Sequence, residues 1–324
     1  MRDKINVFPI ELAVPFNGDH SKMYLVTDNE VGAVIDAGAY AEQNQELITM
    51  AIKEAGLAFS DIKAIMLTHS HPDHWGMAEW LHQISGAKVC ASVYERDQLW
   101  MWRFAGHKRI EGLEAFFRKH GMPSEMLGLV DSLRDRASKM GLPPEVEVIL
   151  RDGQLAGPPS LGLRALLTPG HSLGHTCFWN EDEGLLFCGD HLLADITPNV
   201  GANFGNEEVK ALSLYTDSLE RVKRMAARLA LPGHGSPIWD IISRANEIKA
   251  HHEERLSNAL KAVEAGRETV YQVVTELFPW ELSPIEYQLA FHEVYAHLEE
   301  LVRAGQLRRV EAKGIVRYSP ILVR

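Results

Sequence analysis

The chain of 324 residues is poor in cysteine: Cys90, Cys177 and Cys188 form an odd set without C-x-x-C spacing. That excludes a disulfide framework and a cysteine-based zinc site from the leading expectations. Cys177 and Cys188 stand in apolar segments and read as small buried hydrophobes. No run approaches the roughly 18 continuous apolar residues that a membrane span needs. The opening Met1-Arg2-Asp3-Lys4-Ile5-Asn6-Val7-Phe8-Pro9 lacks the apolar stretch of a secretory signal, so the expected compartment is the cytoplasm, with no membrane partner. Basic charge is in deficit, 33 Lys+Arg against 44 Asp+Glu for a net −11, which opposes a surface that grips nucleic acid throughout. Repeats and low-complexity segments are lacking too. What remains is ordinary globular composition, long enough for about two domains.

The first stretch alternates β-branched runs with turns. Met23–Thr27, Gly32–Asp36 and Ala64–Thr68 read as strands, with an amphipathic helix from Ala41 to Ala55 whose shared face holds Leu47, Ile48, Ala51 and Ile52. A helix from about Gly76 leads to a strand near Lys88–Ser92. Residues 95–140 are helical in pattern and carry Trp100, Trp102, Phe104, Phe116, Phe117, Met122, Met126 and Leu127. They read either as a subdomain packed on the body or as a lid over an apolar pocket. Strands return at Glu147–Leu150, Leu163–Leu167, Thr176–Trp179 and Leu185–Cys188, followed by a helix from Tyr215 to Leu229.

Past Ser243 the pattern changes again. A charged helix runs through His251-His252 to Gly266, and a shorter one covers Val270–Phe278. A third helix starts after Ser283-Pro284, an N-cap followed by a favoured first residue. Its apolar stripe is Tyr287, Phe291, Val294, Leu298 and Leu301. Leu307–Glu311 and Ile315–Tyr318 flank Lys313-Gly314 as a hairpin would. Three helices closed by a hairpin is the order of a winged helix. The expected division is 1–242 for a catalytic domain, with an insert at about 95–140, and 243–324 for a small winged-helix-like domain.

The strongest chemical signal is Thr68-His69-Ser70-His71-Pro72-Asp73-His74, directly after an apolar strand. The strand fixes the start of the loop, so His69 and His71 can aim at one point, and Asp73 and His74, further round, at a second. Imidazole and carboxylate suit zinc, and also iron or manganese. Gly76 is expected to let the backbone pass close to the ions. Three later turns each offer another ligand type after an apolar run: Thr168-Pro169-Gly170-His171, Cys188-Gly189-Asp190 and Leu231-Pro232-Gly233-His234. Ser70 reads as a spacer, and no serine or cysteine nucleophile is placed for catalysis.

In this ordered set the sequence resembles the metallo-β-lactamase-fold hydrolase superfamily over about residues 1–240, with Val34-Ile35-Asp36-Ala37-Gly38 similar to the family's early strand and turn. The resemblance implies an α/β fold, a four-layer αβ/βα sandwich with metals at one edge. It also implies that His69, His71 and His171 hold one metal, that Asp73, His74 and His234 hold a second, and that Asp190 bridges them. Two divalent cations, zinc first among the candidates, would lower the pKa of a shared water and supply a bridging hydroxide near pH 7. Asp73 would orient it and carry a proton to the leaving group. His175 and His191, next to ligands, read as supporting residues. His20, His82, His107, His120, His251, His252, His292 and His297 are expected at the surface or in helices, with His251-His252 able to reach the site rim.

A sandwich followed by a small helical module looks like the β-lactamase-like subgroup that includes a mitochondrial endoribonuclease and many bacterial hydrolases. The segment 190–199 resembles the latter more, and Met77 departs from the second Gly common in thioesterase and lactonase relatives. The leading expectation is a hydrolase of a small ester, thioester or lactone, whose apolar acyl group suits the aromatic insert. The alternative is a single-strand endoribonuclease, with Arg303, Arg308, Arg309, Lys313, Arg317 and Arg324 as its basic face. A DNA-reading role fits the third helix poorly, since it carries Glu286, Glu293, Glu299 and Glu300. That acidic helix fits dimerisation, or covering of the active site, better.

Overall fold

Alternation of side chains across each strand gives this chain two buried faces per sheet, and each face has found its own partner. The computed structural model describes residues 4–15, 20–201 and 209–321. One sheet has six strands in the order β1 (Asn6–Ala13), β2 (His20–Thr27), β3 (Gly32–Ile35), β4 (Ile62–Met66), β5 (Lys88–Ser92) and β6 (Val148–Leu150). Its first two pairings are antiparallel and the rest parallel. The second sheet orders β7 (Leu163–Leu167), β8 (Thr176–Asn180), β9 (Leu185–Gly189) and β10 (Leu229–Pro232) as β10-β9-β8-β7.

Between the sheets lie Tyr24, Val26, Ile35, Met66, Phe178 and Phe187. On the outer face of the first sheet Leu25, Val34, Ile65 and Val89 pack against α1 (Glu42–Glu54), α2 (Pro72–Trp75) and α3 (Ala78–Ser85). On the outer face of the second, Cys177, Trp179, Leu186 and Cys188 pack against α6 (Ala211–Lys223) and the start of α7 (Ile241–Glu264). This is the expected αβ/βα sandwich, and all three cysteines are free and buried.

The remaining elements share one core. Ile110, Phe116 and Phe117 of α4 (Val93–Lys119) and Val130 and Leu133 of α5 (Leu129–Ser138) pack with α7, α8 (Val270–Leu277), α9 (Pro284–Arg303) and the hairpin of β11 (Leu307–Ala312) and β12 (Ile315–Pro320). The far half of the insert therefore belongs energetically with the C-terminal helices, while Trp100 and Phe104, nearer the sandwich, stay exposed. The stripe Phe291, Val294, Leu298 and Leu301 is buried in this core as its spacing predicts. The hairpin turns on Lys313 and Gly314, both at positive φ, the geometry that matches strand twist. Among the described residues no helix is long and apolar enough to cross a membrane.

Several expectations need correction. Strand β1 precedes the first strand expected, and Pro9 within it is tolerated because β1 is an edge. The helix expected over 215–229 is Ala211–Lys223, because the buried stripe Leu212, Tyr215, Leu219 and Val222 sets its face and Leu229 already pairs with β9. On α1, Leu47 faces solvent and Asn44 takes the buried side, donating to Ala39 O at 2.8 Å and to Ala13 O at 3.0 Å. His252 and His297 lie in helices, as expected, but deep in the packing, as does His120. Arg324 lies outside the described residues, as does the side chain of His107.

Candidate metal centre

Four strand ends deliver the site. β4 runs out through Thr68 into His69 and His71, and Pro72 starts α2, whose single turn carries Asp73 and His74. β7 leads to His171, β9 to Asp190 and β10 to His234. The two sheets are stitched there by Thr176 N donating to Thr68 O (2.9 Å), and Gly233 N donates to Gly189 O (2.9 Å).

All seven predicted residues meet. His69, His71, His171 and Asp190 form one group in which a ligand atom of each lies within 4.8 Å of the others; Asp73, His74 and His234 form a second by the same measure. The carboxylate of Asp190 stands between them. Its Oδ1 is 3.5 Å from His74 Nε2, and its Oδ2 is 3.8 Å from His171 Nε2 and 3.6 Å from His234 Nε2. His234 Nε2 is also 3.4 Å from Asp73 Oδ2. His175 and His191 belong to neither group. His175 Nδ1 meets Thr168 Oγ1 at 2.9 Å, and its ring lies beside His69 with centroids 5.3 Å apart, so it supports the ligand turn.

The far nitrogens of the rings decide what the near ones can be. His171 Nδ1 lies 2.8 Å from the carbonyl of Asn199, and His234 Nδ1 lies 2.9 Å from the carbonyl of His20; a carbonyl only accepts, so both Nδ1 atoms carry the proton. His74 Nδ1 donates to the Asp36 carboxylate at 2.8 Å. Thr68 Oγ1 donates to Asp36 and accepts from His69 Nδ1 at 3.0 Å. In each neutral ring Nε2 is thereby the lone-pair nitrogen, and the four Nε2 atoms face inward: His69 to His171 at 3.2 Å, and His74 to His234 at 3.3 Å. His71 Nδ1, 2.9 Å from His69 and 3.1 Å from His171, can offer at most one hydrogen to that cluster. Lone pairs converging at such distances, with Asp190 Oδ1 buried and lacking a hydrogen-bond partner, are a donor set for divalent cations.

The electrostatics divide along the same line. Burial, reinforced by the neighbouring imidazoles, holds His69 well below its usual range, and burial with His171 brings His71 down to about 3. In the second group burial pulls the same way but loses: the Asp190 and Asp36 carboxylates raise His74, and Asp190 with Asp73 raises His234 to about 9. Asp73 and Asp190 stay ionised, because the surrounding histidines outweigh the desolvation that would raise them.

The sequence singled out Asp36 within its strand and turn but not its role in aiming the ligands, and it gave no sign of Glu95. Asp36, at φ 59°, accepts from Thr68 N at 2.8 Å as well as from His74. Glu95 accepts from Ser70 N (2.8 Å), Ser172 Oγ (2.6 Å) and Gly174 N (2.9 Å), binding the His69/His71 loop to the His171 loop. Asn199 and His20 contribute only carbonyls, and no side-chain pattern announces those. Gly76 does not approach the ligands as expected: a side chain there would collide with the backbone of Ala39 and Tyr40, whereas at Gly233 it would stand 2.6 Å from both Asp190 Oδ1 and His74 Cε1.

Comparison with known proteins agrees with this centre. The profile of the metallo-beta-lactamase superfamily matches residues 17–234, and that of the metallo-beta-lactamase-like C-terminal domain matches residues 256–321. The metallo-beta-lactamase family protein TTHA1429 of Thermus thermophilus superposes with a TM-score of 0.83 at 31% identity, covering 97% of this chain and 98% of its own. The protein named probable metallo-hydrolase YqjP of Bacillus subtilis is 25% identical over 308 residues, 91% of this chain and 92% of its own length. An atrochrysone carboxyl ACP thioesterase of Aspergillus fumigatus is 23% identical over 250 residues, 76% of this chain but only 62% of that protein. Two sheets, four ligand-bearing strand ends and a C-terminal helical unit thus come together in one conclusion: the chain belongs to the metallo-beta-lactamase superfamily and is a metallo-hydrolase.

Proposed function

We infer that this enzyme binds two divalent ions, one in each ligand group with Asp190 between them, and hydrolyses a small ester, thioester or lactone with an apolar acyl group. The observation that carries this is the pair of inward-facing lone-pair sets meeting at one carboxylate. Zinc is the first expectation for this donor set, with iron and manganese compatible. When bound, such ions supply Lewis acidity and lower the pKa of water. The chain supplies the rest. Asp36, Asn199 and His20 hold the Nδ1 hydrogens and so turn Nε2 of His74, His171 and His234 inward; Asp73, held ionised, orients the attacking water, takes a proton from it and passes that proton to the leaving group.

The substrate class is supported by the mouth. Exposed apolar side chains flank the ligand segments along the chain: Tyr94, whose Cβ abuts Gly174, Tyr40 ahead of the first ligand loop, Ile196 and Trp239 a few residues beyond Asp190 and His234, and Trp100 and Phe104 along α4. A charged phosphodiester finds less there. The basic residues proposed for a nuclease are partly spent on ion pairs, Arg303 with Glu300, Arg309 with Glu299 and Arg317 with Glu268. A relative named as a thioesterase is in accord.

The test is metal analysis together with turnover of thioesters, lactones, simple esters, phosphodiesters and short RNA. Acyl substrates should turn over, lose turnover on chelation and regain it on adding metal, and Asp190→Asn should abolish it. RNA cleavage without acyl hydrolysis would transfer the assignment to the nuclease reading.

A further inference from the structure

We propose that the C-terminal helical unit is part of the metal centre: α9 holds Asn199, and the Asn199 carbonyl aims His171. This rests on the metal-binding reading above and gives the C-terminal unit a task that requires no nucleic acid.

Within the first group, His171 is the ring aimed from the connection that follows Asp190. His69 and His71 follow directly on the end of β4, and their loop is backed by Thr68 and Glu95. The His171 turn is tied to Glu95 through Ser172 and Gly174, but the ring itself is aimed by the hydrogen bond from Nδ1 to Asn199 O, 2.8 Å. Asn199 belongs to the long connection between Asp190 and α6, which has no strand or helix among its described residues to hold it. Its anchor is α9. Asn199 Nδ2 donates to Leu289 O at 3.1 Å and reaches Glu293 Oε2 at 3.4 Å, two groups one helical turn apart on the same face. The connection touches α9 again at Gly201, where any Cβ would come within 2.7 Å of His292 Cβ. Glu293 is itself fixed: its other oxygen is 3.7 Å from Arg255 Nε on α7, and its backbone carbonyl accepts from His297 Nδ1 at 2.7 Å.

A second contact backs the same turn. Tyr215 of α6 packs directly on Gly170, where no side chain could fit, and Ser218 Oγ donates to Pro169 O at 2.8 Å. The other edge of the Tyr215 ring meets His252 of α7, centroids 5.6 Å apart. No such connection from α7 or α9 reaches Asp73, His74 or His234 among the described residues; His234 is aimed by β2 and His74 by Asp36. Disturbing the α9 anchor should therefore weaken one ion and spare the other.

Three variants of the full-length protein test this: Asn199→Ala, Asn199→Asp, and Asn199→Asp combined with Glu293→Gln. The first removes the tether and the second sets a carboxylate against Glu293. In the third the amide at 293 can donate to the carboxylate at 199, restoring a bond of reversed polarity. Affinities for two zinc ions are measured by competition with a chelating dye, and melting is followed in the metal-free proteins. The expected result is binding of one ion weakened about tenfold or more in the single variants. The second ion and the metal-free melting temperature should stay near wild type, with partial recovery in the double variant. Wild-type affinity for both ions in Asn199→Ala and Asn199→Asp overturns the proposal. So does equal weakening of both ions with a fall in melting temperature, the mark of general damage. A wild-type protein that binds no ion sinks the metal-binding reading, and this inference with it.

Discussion

Asp36→Asn separates charge from shape at the residue that underlies the second ligand group. The buried carboxylate accepts from Thr68 N and Oγ1 through Oδ1, and from Thr68 Oγ1 and His74 Nδ1 through Oδ2. Asparagine is nearly isosteric and tolerates the positive φ of 59° at this position, so the backbone should hold. An amide has one accepting atom where the carboxylate has two. If its oxygen stays with Thr68, its NH2 faces His74 Nδ1 and forces that nitrogen to accept. The proton of His74 then moves to Nε2 and points where the ligand lone pair belongs. Hydrogen bonds to charged groups are worth about 1.5–3 kcal/mol against about 0.5–1.5 for neutral ones. Converting the Thr68 pair and losing the His74 donation should cost the metal-free protein about 3 kcal/mol, a fall in melting temperature of roughly 5–12 °C. Metal affinity of the second group should drop about 10–100-fold. Equilibrium dialysis with elemental analysis reads the stoichiometry, and calorimetry reads the melting. Two tightly bound ions in the variant would refute the tautomer reasoning even if stability fell as expected.

Gly233→Ala should act on the centre with little effect on folding. The added methyl meets Asp190 Oδ1 and His74 Cε1 rather than core atoms, so metal affinity should fall tenfold or more while metal-free melting moves by only a few degrees; the reverse pattern would contradict the geometry. The buried histidines His120 and His252 are pushed down to about 3, and His297 to about 4, first of all by burial. Their folded pKa values lie below the unfolded value of about 6.5, so their contribution to stability is complete above that pH and is lost as pH falls from about 6.5 toward 4. Each adds a slope of up to about 1.4 kcal/mol per pH unit. Urea titrations of the metal-free protein between pH 7.5 and 4.5 should show this slope, and His252→Gln should flatten it; an unchanged slope removes His252 from the account. Truncation after residue 242 should yield aggregates on sedimentation, because it strips α7–α9 from Ile110, Phe116, Phe117 and Leu133; a soluble monomer with native melting would show that this shared core is dispensable.

How much could be read in advance varied with the range of the interaction. The seven residues that meet at the centre were legible because each follows an apolar run at a turn, and a strand end is where a side chain can be both fixed and free of the sheet. The stripe on α9 and the Lys313-Gly314 turn were legible because helix period and hairpin geometry depend on a few neighbouring residues. Strand β1 was not, since its Pro9 argues against a strand unless the chain is known to run along a sheet edge. The acidic character of α9 was legible, but its use was not: Glu299 is buried, accepting from Tyr318 at 2.8 Å and Arg309 at 2.9 Å, and Glu293 turns toward Asn199.

By itself, then, the order of residues determined which side chains can ligate, that they are carried on apolar strands, and that a helical unit with a hairpin follows. Only the tertiary structure decided which nitrogen is free in His74, His171 and His234, since that depends on carbonyls and a carboxylate 28 to 214 positions away in the chain. Likewise it was packing that joined the insert to the C-terminal helices, because apolar surfaces of similar size are interchangeable in a sequence and become specific partners only when the sandwich has fixed where each one emerges.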